Sequence, residues 1–220
     1  MNLRSEPRRC VIFGSGESRG AAYSPRIGDI LIAADGGYNA LRRRKLRPDW
    51  VIGDFDSLGF VPKGKNVRVV PREKDDPDLI LAIRCGLEAG CREFALYGAT
   101  GTRFDHSYAN VLALRYLREQ GALGRIVTPD AELFVMISER VDFPAEERGK
   151  LSIFSLSERS LGVTLSGLKY PLADRTLTAR EWLRLRRDHH DVSGTNSPFR
   201  ETSNIKDGSN IMADRAYRRY

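Results

Sequence analysis

The sequence predicts an α/β protein: an N-terminal three-layer domain on a mainly parallel sheet, then a smaller all-β, sandwich-like domain with an atypical C-terminal tail. Three observations predict it. Short apolar runs alternate with longer helical patterns through the first half, the rhythm of a parallel sheet covered on both faces. After about Val141 the segments become short strands broken by Ser, Gly and Pro. Finally, Thr195–Tyr220 is polar, with no alternating apolar run. The expected domains are residues 1–139 and 140–220, with 180–220 as a segment that is either disordered or derived from an altered reading frame.

Cys10–Phe13 and Ile30–Ala34 read as buried strands, each running into a Gly- or Asp-containing loop. Asn39–Lys45 reads as a short helix with a basic face, and Trp50–Ile52 and Val67–Val70 as strands. Asp76-Pro77-Asp78 opens the next helix: Asp76 is a suitable cap, proline fits a first helical position, and Asp78 favours the dipole. That helix runs through Leu79–Leu87 to Gly90, a C′ glycine. Phe94–Tyr97 is a strand and Asp105–Gln120 a helix closed by Gly121. Arg125–Thr128 and Leu133–Ile137 are further strands, followed by Lys150–Leu156, Gly162–Leu165 and Leu168–Tyr170 in the second domain.

With 41% hydrophobic and 30% charged residues in a chain of 220, the composition excludes wholesale disorder. The formal charge is +7. Residues 180–220 hold nine Lys/Arg against six Asp/Glu, and so contribute +3 of it. Such a charge suits nucleic acid or a small polyanion such as ATP equally well, so it does not choose between them. Cys10, Cys85 and Cys91 lack metal-ligand spacing and read as buried, reduced thiols, in keeping with a cytoplasmic protein. No apolar stretch reaches membrane-spanning length, and Cys10–Phe13 is too short for a signal-peptide core.

In an open parallel sheet, ligands bind beyond the carboxyl ends of the strands. The acids cluster there. Asp35 follows one strand; Asp54 and Asp56 in Gly53-Asp54-Phe55-Asp56-Ser57 follow another. Asp75, Asp76 and Asp78 lie between a strand and a helix start, and Asp105 follows a fourth strand. Crowded carboxylates repel one another without a cation, and magnesium takes carboxylate, water and phosphate oxygens. Glycines beside the acids let phosphate oxygens approach the backbone, and Lys74 and Arg103 supply positive charge. Each element has a plainer reading as well. Asp35-Gly36-Gly37 alone is a turn signal, Asp76 is better read as a cap than as a ligand, and His106 is a general base or a local hydrogen-bonding group. Gly14-Ser15-Gly16 has its next glycine at Gly20, the wrong spacing for a dinucleotide fingerprint, and no P-loop motif is present.

In Gly28–Leu41, Arg47–Leu58, Pro71–Ile83, Tyr97–Asn110 and Gly167–Leu172 the sequence resembles the thiamine pyrophosphokinase family. The resemblance implies an enzyme that moves pyrophosphate from ATP to the hydroxyl of thiamine, with Mg2+ as cofactor, working as a homodimer with shared sites. Carried over by position, Asp54, Asp56 and Asp78 match the family's magnesium-site acids. Asp35, Gly36, Lys74, Asp75, Arg103, Asp105 and His106 match its nucleotide and substrate pocket, with Asp105 positioning thiamine or accepting its proton. Tyr170 falls where an aromatic lies near the thiamine ring. Two departures stand out. Pro77 replaces the usual threonine, and the tail departs from the family after Leu177-Thr178, with Ser193-Gly194-Thr195-Asn196 or Thr202-Ser203-Asn204 as stand-ins for a Ser-Asn motif. A non-catalytic nucleotide or thiamine binder, or a nucleic-acid-binding protein using the basic tail, are the rival expectations.

Overall fold

The computed structural model describes residues 8–71, 76–101, 103–143, 149–167, 171–186, 201–206 and 210–217. The chain divides into two compact units, Met1–Pro129 and Asp130–Tyr220. The expected boundary at 139/140 lies one strand later than this division.

Among the described residues the first unit holds six strands: β1 (Arg9–Phe13), β2 (Ile30–Ala34), β3 (Trp50–Gly53), β4 (Val67–Val69), β5 (Glu93–Tyr97) and β6 (Leu123–Val127). Every pairing among them is parallel, in the order β6-β5-β1-β2-β3-β4. Three helices cover the sheet: α1 (Gly37–Arg43), α2 (Asp78–Glu88) and α3 (Phe104–Glu119). The apolar runs follow from this, because a strand buried on both faces has no polar side to show. Ile30–Ala34 is buried at every position. Alternate residues serve opposite faces. Val11, Phe13, Leu31, Ala33, Val51, Ala95 and Tyr97 pack with Ala40 and Leu41 of α1. On the other side a Cβ at Gly86 of α2 would meet Cys10 and Phe94, so this glycine is what lets α2 lie close to the sheet.

The chain runs outward from β1 through β2 and β3 to β4, then returns to the other side of β1 as β5 and β6. The direction of winding therefore reverses between β1 and β5. Loops after these two strands diverge there and leave a crevice, the usual ligand position of such sheets.

The second unit holds β7 (Ala131–Ile137), β8 (Arg140–Phe143), β9 (Gly149–Ser155), β10 (Arg159–Leu165), β11 (Leu172–Thr178), β12 (Trp182–Arg186), β13 (Glu201–Lys206) and β14 (Asn210–Tyr217). They form two antiparallel arrays, β12-β9-β14-β7 and β11-β10-β13-β8. Met136, Leu151 and Ile153 of the first array pack with Val163, Leu165 and Leu177 of the second. A core drawn from two facing sheets is a sandwich.

The tail differs from its sequence expectation. Its described residues form strands, and two of them are interior. β13 lies between β10 and β8, and β14 lies between β7 and β9, with Met212 opposite Val135 on one side and Phe154 on the other. A β ladder is satisfied by backbone N–H and C=O groups whatever the side chains, so a polar segment can fill an interior place. The expected strand at Leu168–Tyr170 lies outside the described residues. Cys10, Cys85 and Cys91 are free and buried. No helix among the described residues is long and apolar enough to cross a membrane.

Candidate metal and polyphosphate site

The site is assembled from the carboxyl ends of β1, β2, β3 and β5. After β1, Gly14 and Gly16 interlock with the loop after β5. Gly14 N–H donates to Tyr97 O at 2.7 Å, Gly16 N–H to Gly98 O at 2.9 Å and Glu17 N–H to Thr100 O at 3.1 Å. A Cβ at Gly16 would stand 2.1 Å from Thr100 O, and one at Gly14 would stand 2.7 Å from Gly98 O. Glycine is required here so that two backbones can touch. The result is a cleft of about 600 Å³ lined by Gly14–Gly16, Asp35, Asp54, Asp76–Leu79, Gly98–Gly101, Arg103 and His106, among others. Its size suits a small-molecule ligand.

Three carboxylates converge in this cleft. Asp35, Asp54 and Asp78 each offer an oxygen, and these oxygens lie within 4.8 Å of one another. Asp35 is 6% exposed and sits at φ 46°, a left-handed backbone that non-glycine residues seldom adopt. Its N–H is tied to Ile52 O at 2.8 Å. The hydroxyls of Ser15 (3.3 Å) and Ser57 both donate to Asp35 Oδ2. Asp35 Oδ1 is buried with no hydrogen-bond partner among the described residues. Burying an unpaired carboxylate oxygen beside two further acids is costly by desolvation and by repulsion. A divalent cation bound by hard oxygens removes both costs, so the residues present fit magnesium.

The structure groups Asp35, rather than Asp56, with Asp54 and Asp78. Phe55, 2% exposed, takes a φ of 62° and anchors the loop in the core. The chain reverses at that point, Asp56 N–H donates to Asp54 Oδ1 at 3.1 Å, and the Asp56 side chain is exposed. Two acids separated by one residue therefore do not project into the same crevice.

The remaining acids have other partners. Asp76 does not cap α2: the N-cap residue is Pro77, and Asp76 pairs with Arg84 at 2.5 Å. Proline cannot donate at that position, and the helix starts one residue later than the capping pattern suggests. Asp105 is exposed and held by Arg103, whose Nη2 lies 2.6 Å and Nε 3.3 Å from its two oxygens. The hydrogen bond from Arg103 holds the Asp105 carboxyl below its usual range, with smaller help from the His106 backbone N–H. Arg103 and His106 line the cleft; Gly36 forms the start of α1, its N–H donating to Ser15 Oγ at 3.0 Å. Lys74, Asp75 and Tyr170 lie outside the described residues.

Sequence reasoning passed over Ser15, Ser57 and Asn110. Asn110 is buried and donates to Ala99 O at 2.7 Å, which pins α3 to the loop after β5. The signal for Ser57 was its place in the Gly53–Ser57 loop. The signal for Ser15 was a glycine-flanked serine directly after a buried strand.

Residues 27–123 match the family model described as "Thiamin pyrophosphokinase, catalytic domain". Over these residues, fewer than half of the chain, the sequence is similar to the thiamin pyrophosphokinase family. Its sequence is 27% identical to the thiamine pyrophosphokinase of Bacillus subtilis over 156 residues, 68% of this chain and 73% of that protein. The fold agrees. The crystal structure of the Bacillus subtilis thiamine pyrophosphokinase superposes with a TM-score of 0.79 at 21% identity, covering 96% of this chain and 100% of that one. That of Geobacillus thermodenitrificans thiamin pyrophosphokinase gives 0.77 at 24% identity, covering 96% and 98%. A second family model matches elsewhere: residues 174–220 match "Urocanase C-terminal domain". Human urocanate hydratase is 30% identical over 170 residues, 77% of this chain. The Dictyostelium discoideum protein described as probable urocanate hydratase is 62% identical over 45 residues, 20% of this chain. The chain spans only 21% of the length of the human protein. The tail is thus a recognisable protein sequence, and the expectation of an altered reading frame is set aside, since out-of-frame translation does not preserve a family pattern.

Proposed function

We propose that this chain is a thiamine pyrophosphokinase, transferring the pyrophosphoryl group of ATP to the hydroxyl of thiamine to give thiamine diphosphate and AMP. The observation that supports it most is the acid trio Asp35, Asp54 and Asp78, with the unpaired Asp35 Oδ1, inside the segment that matches the family. These three acids hold the magnesium, with Asp56 outside the trio. When bound, the ion supplies charge neutralisation across the ATP phosphates.

The chain's own groups do the rest. Gly14, Gly16 and Gly98 let the loops after β1 and β5 touch, and these two loops line the cleft beside the acids as the place for the phosphates. The first turn of α2 contributes the positive end of its dipole to the same cleft. Arg103, and Lys74 from the acid-rich run before α2, offset phosphate charge. The thiamine oxygen attacks the β-phosphorus, the bond to the α-phosphate oxygen breaks, and AMP departs. Such transfers depend on positioning and charge more than on a strong base. Asp105, engaged by Arg103 through two hydrogen bonds, holds that guanidinium, and the hydroxyl proton passes to water as the new bond forms. Homodimeric and cytoplasmic operation belong to the same proposal.

A second reading has one observation in its favour: the family match ends at 123, while residues 174–220 resemble a different family. In it, the chain binds Mg-ATP but lacks the acceptor half of the pocket. Purified protein with Mg-ATP, assayed for AMP with and without thiamine, separates the two. Thiamine-dependent AMP supports the enzyme; ATP binding without AMP supports the binder.

A further inference from the structure

The Asp35 carboxylate is held by two serines on different loops. Asp35 Oδ2 accepts from Ser15, on the loop after β1, and from Ser57, on the loop after β3. Ser15 Oγ in turn accepts the N–H of Gly36 at 3.0 Å. That bond leaves the Ser15 hydroxyl hydrogen free to point at the carboxylate, so the donor direction is set. With both donors on Oδ2, Oδ1 is the Asp35 oxygen left without a hydrogen-bond partner, and Asp35 offers one oxygen to the group it forms with Asp54 and Asp78. The backbone adds to the constraint, because Asp35 is held at φ 46° by its N–H bond to Ile52 O.

We infer that Ser15 and Ser57 are positioning residues, which orient the Asp35 carboxylate so that its Oδ1 serves the cation. The pair also ties the glycine loop of the phosphate cradle to the metal acids, so that cradle and cation site are held in one geometry. Outer groups that orient a ligating carboxylate typically change metal affinity by about 10–100-fold when removed. The inference rests on the proposed metal site, and its test keeps the two apart.

The test is Mn2+ binding to the full chain without nucleotide, read from the EPR signal of free Mn2+, alongside melting in EDTA. Wild type, Asp35→Asn, Ser57→Ala, Ser57→Thr and Ser15→Ala are compared. The expected result is loss of the site in Asp35→Asn and a 10-fold or greater weakening in Ser57→Ala. Ser57→Thr should restore affinity to within about 3-fold, since its hydroxyl can make the same bond. Ser15→Ala should weaken binding less, its bond being the longer one, and all melts in EDTA should stay close to wild type. Wild-type affinity in both serine variants, with Asp35→Asn still abolishing binding, overturns the inference and leaves the metal site standing. Equal binding by wild type and Asp35→Asn overturns both. A fall in affinity matched by a fall in EDTA melting, with no rescue by threonine, assigns the serines to the fold and also overturns it.

Discussion

At the scale of the residue, the acids at the strand ends could be read from the sequence, but their grouping could not. Spacing put Asp54 and Asp56 together; the left-handed backbone at Phe55 separates them. Asp35 read as half of a turn, and its place in the trio depends on tertiary contacts with Ser15 and Ser57 that no local pattern encodes. Two predictions belong here. Asp54→Asn removes a ligand and should lower kcat/KM at least about 100-fold, near 3 kcal/mol, the size typical of losing one electrostatic contact in such a site. In EDTA the same change relieves repulsion, so its melting temperature should equal or exceed wild type. A lower melting temperature there would argue against a crowded acid site. The second concerns Asp29, buried against Arg9 at 2.8 Å, with both side chains about a tenth exposed. Burial pushes the Asp29 carboxyl up, but hydrogen bonds from Arg9 and from the Arg26 N–H outweigh it and leave it lowered. Its stabilisation is therefore complete above the ordinary Asp value of about 3.9 and disappears as pH falls through the lowered folded value. Asp29→Asn should cost about 1–3 kcal/mol at neutral pH, because the part-buried Arg9 loses its carboxylate partner and keeps its bond to Ser24 O. Urea titrations at several pH values measure it, and the deficit should shrink below about pH 3.9.

At the scale of the element, the first unit was legible because its strands are buried on both faces and written as continuous apolar runs. Residues 30–34 are the plainest example, and the expected helix beginning near Asp78 is α2. The second unit was legible only in part. β8 has just four residues, and β13 and β14 lie in a polar stretch that shows no alternating apolar run. Their interior positions predict a strong effect of truncation. Deleting residues 201–220 removes β13 from between β10 and β8 and β14 from between β7 and β9. The second unit should then be cleaved rapidly by protease, while a fragment ending near Pro129 persists. Survival of an intact second unit after that deletion would show that these strands do not hold the sandwich together.

At the scale of the whole molecule, one chain joins a segment that matches the thiamin pyrophosphokinase catalytic domain to a C-terminal segment that matches the urocanase C-terminal domain. The described strands of the tail occupy places within a fold that superposes on thiamin pyrophosphokinases over 96% of the chain. The charge of +7 did not discriminate between partners, since a surplus of Lys and Arg favours any polyanion. The proposal rests instead on the acids that follow β2 and β3 and open α2. The measurement that tests this most directly follows two labels in one reaction, ATP labelled at the α-phosphate and ATP labelled at the γ-phosphate, with magnesium and thiamine. The account predicts γ-label in thiamine diphosphate and an equal amount of α-label in AMP, both lost in Asp54→Asn. Label released only as inorganic phosphate with ADP, or no thiamine-dependent transfer by a protein that still binds Mg-ATP, would contradict it.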